Sequence, residues 1–344
     1  MKALVLESNG RLRYQTVLDP QPAPDECLLA VRAAGVCSSD IPRAFAHGAY
    51  HTPLIMGHEF AGEVVACGAA VTGIEVGQPM AVFPLLPCFD CPACARQRWA
   101  QCRQYDYYGS RRDGGFSQFI AVKAWNLLPI PEGCEVALAA LCEPLAVCLH
   151  TFKAIPPEVN GRLAIIGAGF MGLCLAHLAQ QSGRFPEICL LDRNQFKLDM
   201  AAGFGWQTVL LAEGERPSLD PFDAVIEASG AVATYQLSLA LADHGAHVIW
   251  LGNISDDWRL RQQEISSVLR RELTIHGVWN STYQPHGAPS DWTEALALIC
   301  TAGWLPGLVS HWLPLAEGPA VLAALHDIKQ QHRPHDYLKV CFWL

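Results

Sequence analysis

The stretch RLAIIGAGFMG, residues 162–172, constrains the fold of this 344-residue chain more than any other. An apolar run of strand character leads straight into Gly167, Gly169 and Gly172 in G-x-G-x-x-G spacing, and then into the helical pattern FMGLCLAHLAQQSG. Glycine is needed there for the tight turn and for close backbone approach, and the amide groups at the start of the following helix favour a pyrophosphate. The spacing alone is a weak signal. It gains weight because the next strand-like run, EICLLD, ends in Asp192, where a carboxylate can accept both ribose hydroxyls of NAD. The same carboxylate would repel a 2′-phosphate, so NAD is expected over NADP. Arg193 beside it either points into solvent or pairs with that extra phosphate. Further alternation of strand and helix patterns, in RNQFKLDMAAGFG, FDAVIEASG and HVIWLG, predicts an α/β fold with a doubly wound parallel sheet.

Residues before about 130 have a different texture. Short β-type runs punctuated by Gly and Pro (ECLLAVRAAGVC, EFAGEVVACG, QPMAVFPLL, SQFIAVK) read as a β-rich module. A chain of this length exceeds one ordinary hydrophobic core, so two domains are expected. With 24 Lys plus Arg against 33 Asp plus Glu, the net charge of −9 argues against nucleic acid or an anionic membrane as partner and leaves a small molecule. The run from Leu163 to Ala179 is too short and too broken by glycine for a membrane span, and Glu7, Ser8 and Asn9 interrupt the amino-terminal segment before it resembles a secretion signal. A reducing cytoplasm is therefore expected.

Fourteen cysteines then read as metal ligands and buried thiols, with no disulfide assigned. Four of them lie in CFDCPACARQRWAQC: Cys88, Cys91, Cys94 and Cys102 are spaced to wrap a loop around one tetrahedral zinc. Four thiolates leave no open coordination place, so such an ion shapes structure and does no chemistry. A second donor set is scattered: Cys37 in GVCSSD, His58 and Glu59 in GHEF, and Glu143 in CEPLAV. Cys37, His58 and one of the two glutamates would give zinc three protein ligands and one open place, the arrangement of a catalytic ion. Taken singly, Cys37 and His58 read equally as a buried thiol and a core histidine, and Glu143 as a helix-start charge before Pro144. The remaining cysteines, Cys134 and Cys300 among them, are expected as small apolar fillers.

The order of these motifs resembles the zinc-dependent medium-chain alcohol and polyol dehydrogenases over nearly the whole chain. That resemblance implies a GroES-like β-rich catalytic domain built from both chain ends (1–150 and 286–344), a Rossmann NAD-binding domain (151–285), two zinc ions per subunit, and a homodimer or homotetramer. It implies a reaction in which the metal acidifies a substrate hydroxyl so that hydride passes to NAD, with Ser39 taking the proton onward, Asp40 holding the His58 ring, and Glu59 and Glu143 exchanging on the metal. Where the family pattern carries a relay histidine this chain has Pro42, so the proton would leave through water, the coenzyme ribose or a group such as His47.

PLLPCFDCPAC and YYGSRRDGGFSQFIAVK are similar to members that oxidise a sugar-alcohol phosphate. A phosphate would be held by guanidinium groups. The candidates are Arg43, Arg111 and Arg112, the last two equally readable as salt-bridge partners of Asp113 or of the metal loop. An unphosphorylated polyol or a threonine-like alcohol is the alternative substrate, and a catalytically silent coenzyme-binding protein the alternative class. The segment 210–221 is short enough to lack one crossover helix.

Overall fold

The computed structural model of the chain describes residues 1–46, 48–212, 217–331, 333 and 335–344. His47 and residues 213–216 thus lie outside the described residues. The chain divides into two compact units, one of Met1–Ala146, Ser281–Arg333 and Lys339–Leu344, the other of Val147–Asn280 and Pro334–Leu338. One border falls inside the continuous helix Cys142–Lys153. No shift in composition marks such a border, which places it a few residues from 150.

The first unit is built on a seven-stranded sheet whose long strand Glu26–Gly35 is paired along its whole length on one side with Glu59–Cys67. On its other side the first half pairs with Phe119–Lys123 and the second half with the last strand of the chain, Val340–Trp343. That final pairing draws the carboxyl end into the amino-terminal unit. Alternation along Glu26–Gly35 buries Cys27, Leu29, Val31 and Ala33 on one face. The returning segment packs by aromatic contacts: Tyr283 stacks on Phe83 at 4.2 Å between ring centroids, and Trp292 meets Phe83 edge-on at 5.3 Å. Asn126, fully buried, donates to the carbonyls of Phe83 (2.7 Å) and Leu85 (2.8 Å), closing the turn beneath these rings.

Six parallel strands form the sheet of the second unit, in the spatial order Gln207–Leu210, Glu187–Asp192, Arg162–Ile166, Phe222–Glu227, Ala242–Trp250, Thr274–Gly277. Counted along the chain this is 3-2-1-4-5-6, the doubly wound order in which the first strand lies at the switch point. Ile166, Leu191, Val225 and Val248 fill its core from neighbouring strands. Helices Phe170–Ser182, Gln195–Gly203, Val232–Leu241 and Gln262–Arg270 supply the crossovers, and none occurs among the described residues between Leu210 and Phe222. No helix among the described residues is long and apolar enough to cross a membrane.

One expectation is overturned: Cys134 and Cys300 are not separate fillers but form a disulfide, with Cα atoms 4.8 Å apart. The pairing spans 166 residues of sequence, joining a loop to the end of helix Asp291–Thr301, and no local spacing signals it. The other twelve cysteines form no disulfide among the described residues.

Replacing Asn126 by Ala strands two buried carbonyls, and the expected cost is about 2 to 4 kcal/mol in urea unfolding. A loss below 0.5 kcal/mol would show that the turn does not depend on that amide.

Candidate active site

Strand Glu26–Gly35 runs into Cys37, and the chain then turns sharply. Asp40 makes the turn: its Oδ2 accepts from the Cys37 amide at 3.0 Å, while its own amide donates to the Cys37 carbonyl at 3.0 Å. Its other oxygen, Oδ1, accepts from Arg43 at 2.8 Å and stands 3.5 Å from His58 Nδ1. Burial alone would raise the Asp40 pKa, but charge on His58 and Arg43 holds it below its ordinary value. Burial likewise opposes charge on His58, and Cys37 and Asp40 together lift its pKa well above the ordinary value. A histidine whose Nδ1 is turned to a carboxylate keeps Nε2 for a metal, the usual division of labour for a ligating histidine.

Cys37, His58 and Glu59 each present one donor atom, all within 4.8 Å of one another. One soft and two harder donors, two of them nearly fully buried, suit zinc, and three protein donors leave a place open. Glu143, at the start of helix Cys142–Lys153, stands outside this set: its Oε1 accepts from the Tyr107 hydroxyl at 3.2 Å. Burial pushes its pKa up to about 7. Ser39 donates from Oγ to Cys37 Sγ at 3.3 Å and is half-buried, between the sulfur and solvent.

Two residues at this site were given no role by sequence reasoning. Lys339, buried, pairs with Glu59 and donates to the Val36 carbonyl at 3.0 Å. Burial works against its charge, and Glu59 overrides that, so its pKa is raised. The signal was available: a single lysine interrupts the apolar run YLKVCFWL, and a charge buried in a strand must be paired. Tyr107, whose ring meets His58 edge-on at 5.8 Å, lies in a tyrosine-rich run with nothing to single it out.

The four loop cysteines come together as expected. Their sulfurs lie within 4.8 Å of one another, with separations of 3.6 Å (Cys91–Cys94), 3.9 Å (Cys88–Cys94) and 4.0 Å (Cys91–Cys102). Four sulfurs about 2.3 Å from a shared ion stand roughly 3.8 Å apart at tetrahedral angles. Backbone amides, Arg103 first, pull Cys91 down to about 6, whereas burial pushes Cys94 up to about 12. A cation is what would keep all four deprotonated together.

In the second unit Gly167 takes φ +108° at the end of its strand, and Gly172 packs so closely that a Cβ would lie 1.9 Å from the Gly167 carbonyl oxygen. A Cβ on Gly169 would meet no atom within 4 Å. Gly172 is therefore required by the protein, while the space at Gly169 suits a ligand. Asp192 accepts from the Ala168 amide at 2.8 Å and the Asn194 amide at 2.9 Å, fixing its carboxylate beside the turn. Arg193 is exposed and makes no hydrogen bond or ion pair among the described residues.

The arginine candidates part ways. Arg43 is committed to Asp40. Arg112 lies 3.4 Å from Asp106, not Asp113, which instead accepts from the Ile55 amide at 2.9 Å. Arg111 has no carboxylate partner among the described residues.

Residues 23–132 match the family model for the alcohol dehydrogenase GroES-like domain. Over 308 residues, 87% of this chain and 88% of its relative, the sequence is 33% identical to galactitol 1-phosphate 5-dehydrogenase of Escherichia coli K12. The chain belongs to the zinc-dependent medium-chain dehydrogenase family. It is an oxidoreductase acting on CH–OH groups. The crystal structure of galactitol-1-phosphate dehydrogenase from Escherichia coli superposes with a TM-score of 0.88 at 31% identity, covering all of both chains. D-altritol 5-dehydrogenase of Agrobacterium fabrum is 31% identical over 92% of this chain and 94% of its own. A zinc-binding dehydrogenase of Sinorhizobium meliloti, solved with NADP, superposes at a TM-score of 0.86 with 29% identity, covering 100% of this chain and 99% of its own.

The glycine turn yields a paired prediction. Gly172→Ala should lower the Tm of the coenzyme-free protein by several degrees, since its Cβ meets backbone. Gly169→Ala should leave that Tm within a degree and raise the KM for the dinucleotide roughly tenfold or more. Equal thermal losses in the two variants would contradict the assignment of Gly169 to the ligand.

Proposed function

We propose that this protein oxidises a secondary hydroxyl of a sugar-alcohol phosphate with NAD, and that galactitol 1-phosphate, giving tagatose 6-phosphate, is its substrate. The observation that carries this reading is the 33% identity to galactitol 1-phosphate 5-dehydrogenase across 87% of the chain. Cys37, His58 and Glu59, with Glu143 in reserve, would hold the reactive zinc, and Cys88, Cys91, Cys94 and Cys102 the second ion. Zinc, when bound, lowers the pKa of a coordinated hydroxyl, and NAD accepts the hydride.

The chain's own residues do the rest. Asp40 fixes the His58 ring and is itself held by Arg43 and the Cys37 amide, so the donor geometry is set before substrate arrives. Lys339 offsets the charge of Glu59, so the donor set carries less net negative charge and stabilises a hydroxyl proton less. Ser39, hydrogen-bonded to Cys37 and reaching toward solvent, is placed to pass that proton on. Pro42 offers no relay, so water completes the path. Gly169 leaves room for the pyrophosphate, and Asp192 receives the ribose hydroxyls.

A second reading, an unphosphorylated polyol as substrate, is favoured by the 31% identity to D-altritol 5-dehydrogenase. We also assign the protein to the cytoplasm, where twelve thiols outside any disulfide persist, and to a homodimer or homotetramer, as in the family it resembles.

A substrate panel separates the readings. kcat/KM for galactitol 1-phosphate should exceed that for galactitol and altritol by at least a hundredfold, and equal values would remove the phosphate from the account. In the same assay Asp192→Asn should shift the NAD-to-NADP preference toward NADP by roughly tenfold or more. An unchanged ratio would mean that Asp192 does not read the ribose.

A further inference from the structure

Arg111 is held in a way that a structural salt bridge does not require. Its guanidinium lies over the Tyr105 ring at 4.2 Å and over the Tyr50 ring at 4.5 Å. It donates from one terminal nitrogen to the Tyr105 carbonyl at 2.6 Å and from the other to the Tyr50 hydroxyl at 3.2 Å. Every one of these partners is neutral. Of the five guanidinium N–H groups two are used, which leaves three with no acceptor among the described residues. The backbone is pinned as well: His51 Nε2 lies 3.0 Å from the Arg111 carbonyl oxygen, and its Nδ1 lies 3.2 Å from that of Pro53. A stacked guanidinium that feels Asp106 only at a distance and makes no ion pair among the described residues has already given up its rotamer freedom, so an arriving anion need not order it.

A run of aromatic contacts within the same unit links this group to the candidate metal centre. Tyr105 meets Tyr107 at 6.2 Å between centroids, and Tyr107 meets His58 at 5.8 Å while its hydroxyl donates to Glu143. Two rings thus lie between the guanidinium and a metal ligand along this chain of contacts. Arg43 and Arg112 lack this freedom, each being paired with a carboxylate.

We propose that Arg111, clamped between Tyr50 and Tyr105, binds the phosphate of the substrate and so determines specificity for phosphorylated polyols. The inference rests on the polyol-phosphate reading above and names the residue that would enforce it. A phosphate dianion suits three unused N–H donors, and the paired geometry of guanidinium and phosphate is lost with lysine.

The test is the ratio of kcat/KM for galactitol 1-phosphate to that for galactitol, measured in the zinc-loaded protein and in Arg111→Met, Arg111→Lys and Tyr50→Ala. Arg111→Met should lower the ratio by roughly 10- to 100-fold, mainly through KM, with Arg111→Lys intermediate. Tyr50→Ala, on an exposed side chain, should lower it less, and it decides the matter should Arg111→Met fail to fold. Inorganic phosphate should compete with galactitol 1-phosphate, and its Ki should rise in Arg111→Met. A structural role would depress both substrates together and leave the ratio where it was, which overturns the clamp while the wild-type preference for phosphate keeps the functional reading intact. A wild type with no such preference removes the functional reading itself. A hexonate used as well as the phosphate by the wild type, and lost equally in Arg111→Met, overturns phosphate in favour of carboxylate.

Discussion

Everything at the candidate metal centre depends on burying charge without leaving it unpaired. Asp40, Glu59 and Lys339 are almost wholly withdrawn from water, and each isolated ion would cost several kcal/mol there. The cost is met locally: Lys339 neutralises Glu59, Arg43 and the Cys37 amide satisfy Asp40, and Asp40 faces His58. A divalent cation would complete the set, binding the donor atoms that Cys37, His58 and Glu59 bring within 4.8 Å of one another. The lysine arrives only because the last strand, Val340–Trp343, pairs with Glu26–Gly35. Chain topology and reaction chemistry are therefore joined at one ion pair, which removing either partner would expose.

The two donor clusters illustrate how donor choice would separate structure from chemistry. Around an ion, four sulfurs would close a tetrahedron and leave nothing to react, whereas Cys37, His58 and Glu59 would leave one side free; Glu143 is held by Tyr107. The glycine turn follows the same logic in backbone terms. Gly172 is needed for packing, Gly169 borders open space, and Asp192 is held beside them by two amide groups.

Much of this was legible in the sequence because the signals were local. The glycine turn, EICLLD ending in Asp192, the four loop cysteines and the strand-helix alternation each declare themselves within a few residues, and the structure places them as strand, turn and helix. What was missed is non-local. Lys339 reaches Glu59 across 280 positions, and the Cys134–Cys300 disulfide spans 166, so neither leaves a spacing to read. Glu143 looked equivalent to Glu59 in sequence, and the partners distinguish them: Lys339 and the metal donor set for Glu59, the Tyr107 hydroxyl for Glu143. The three arginines were likewise indistinguishable until their partners were known: Asp40 for Arg43, Asp106 for Arg112, and two aromatic faces for Arg111.

The central claim is an ion with an open coordination place held by Cys37, His58 and Glu59. Metal content measured on wild type and Cys37→Ala, with thermal melting and turnover recorded on the same samples, tests it most directly. The account predicts two zinc ions per chain in the wild type and one in the variant, with the Cys88–Cys102 loop still loaded, the fold retained and NAD reduction abolished. Two ions retained in Cys37→Ala, or turnover unchanged, would contradict it.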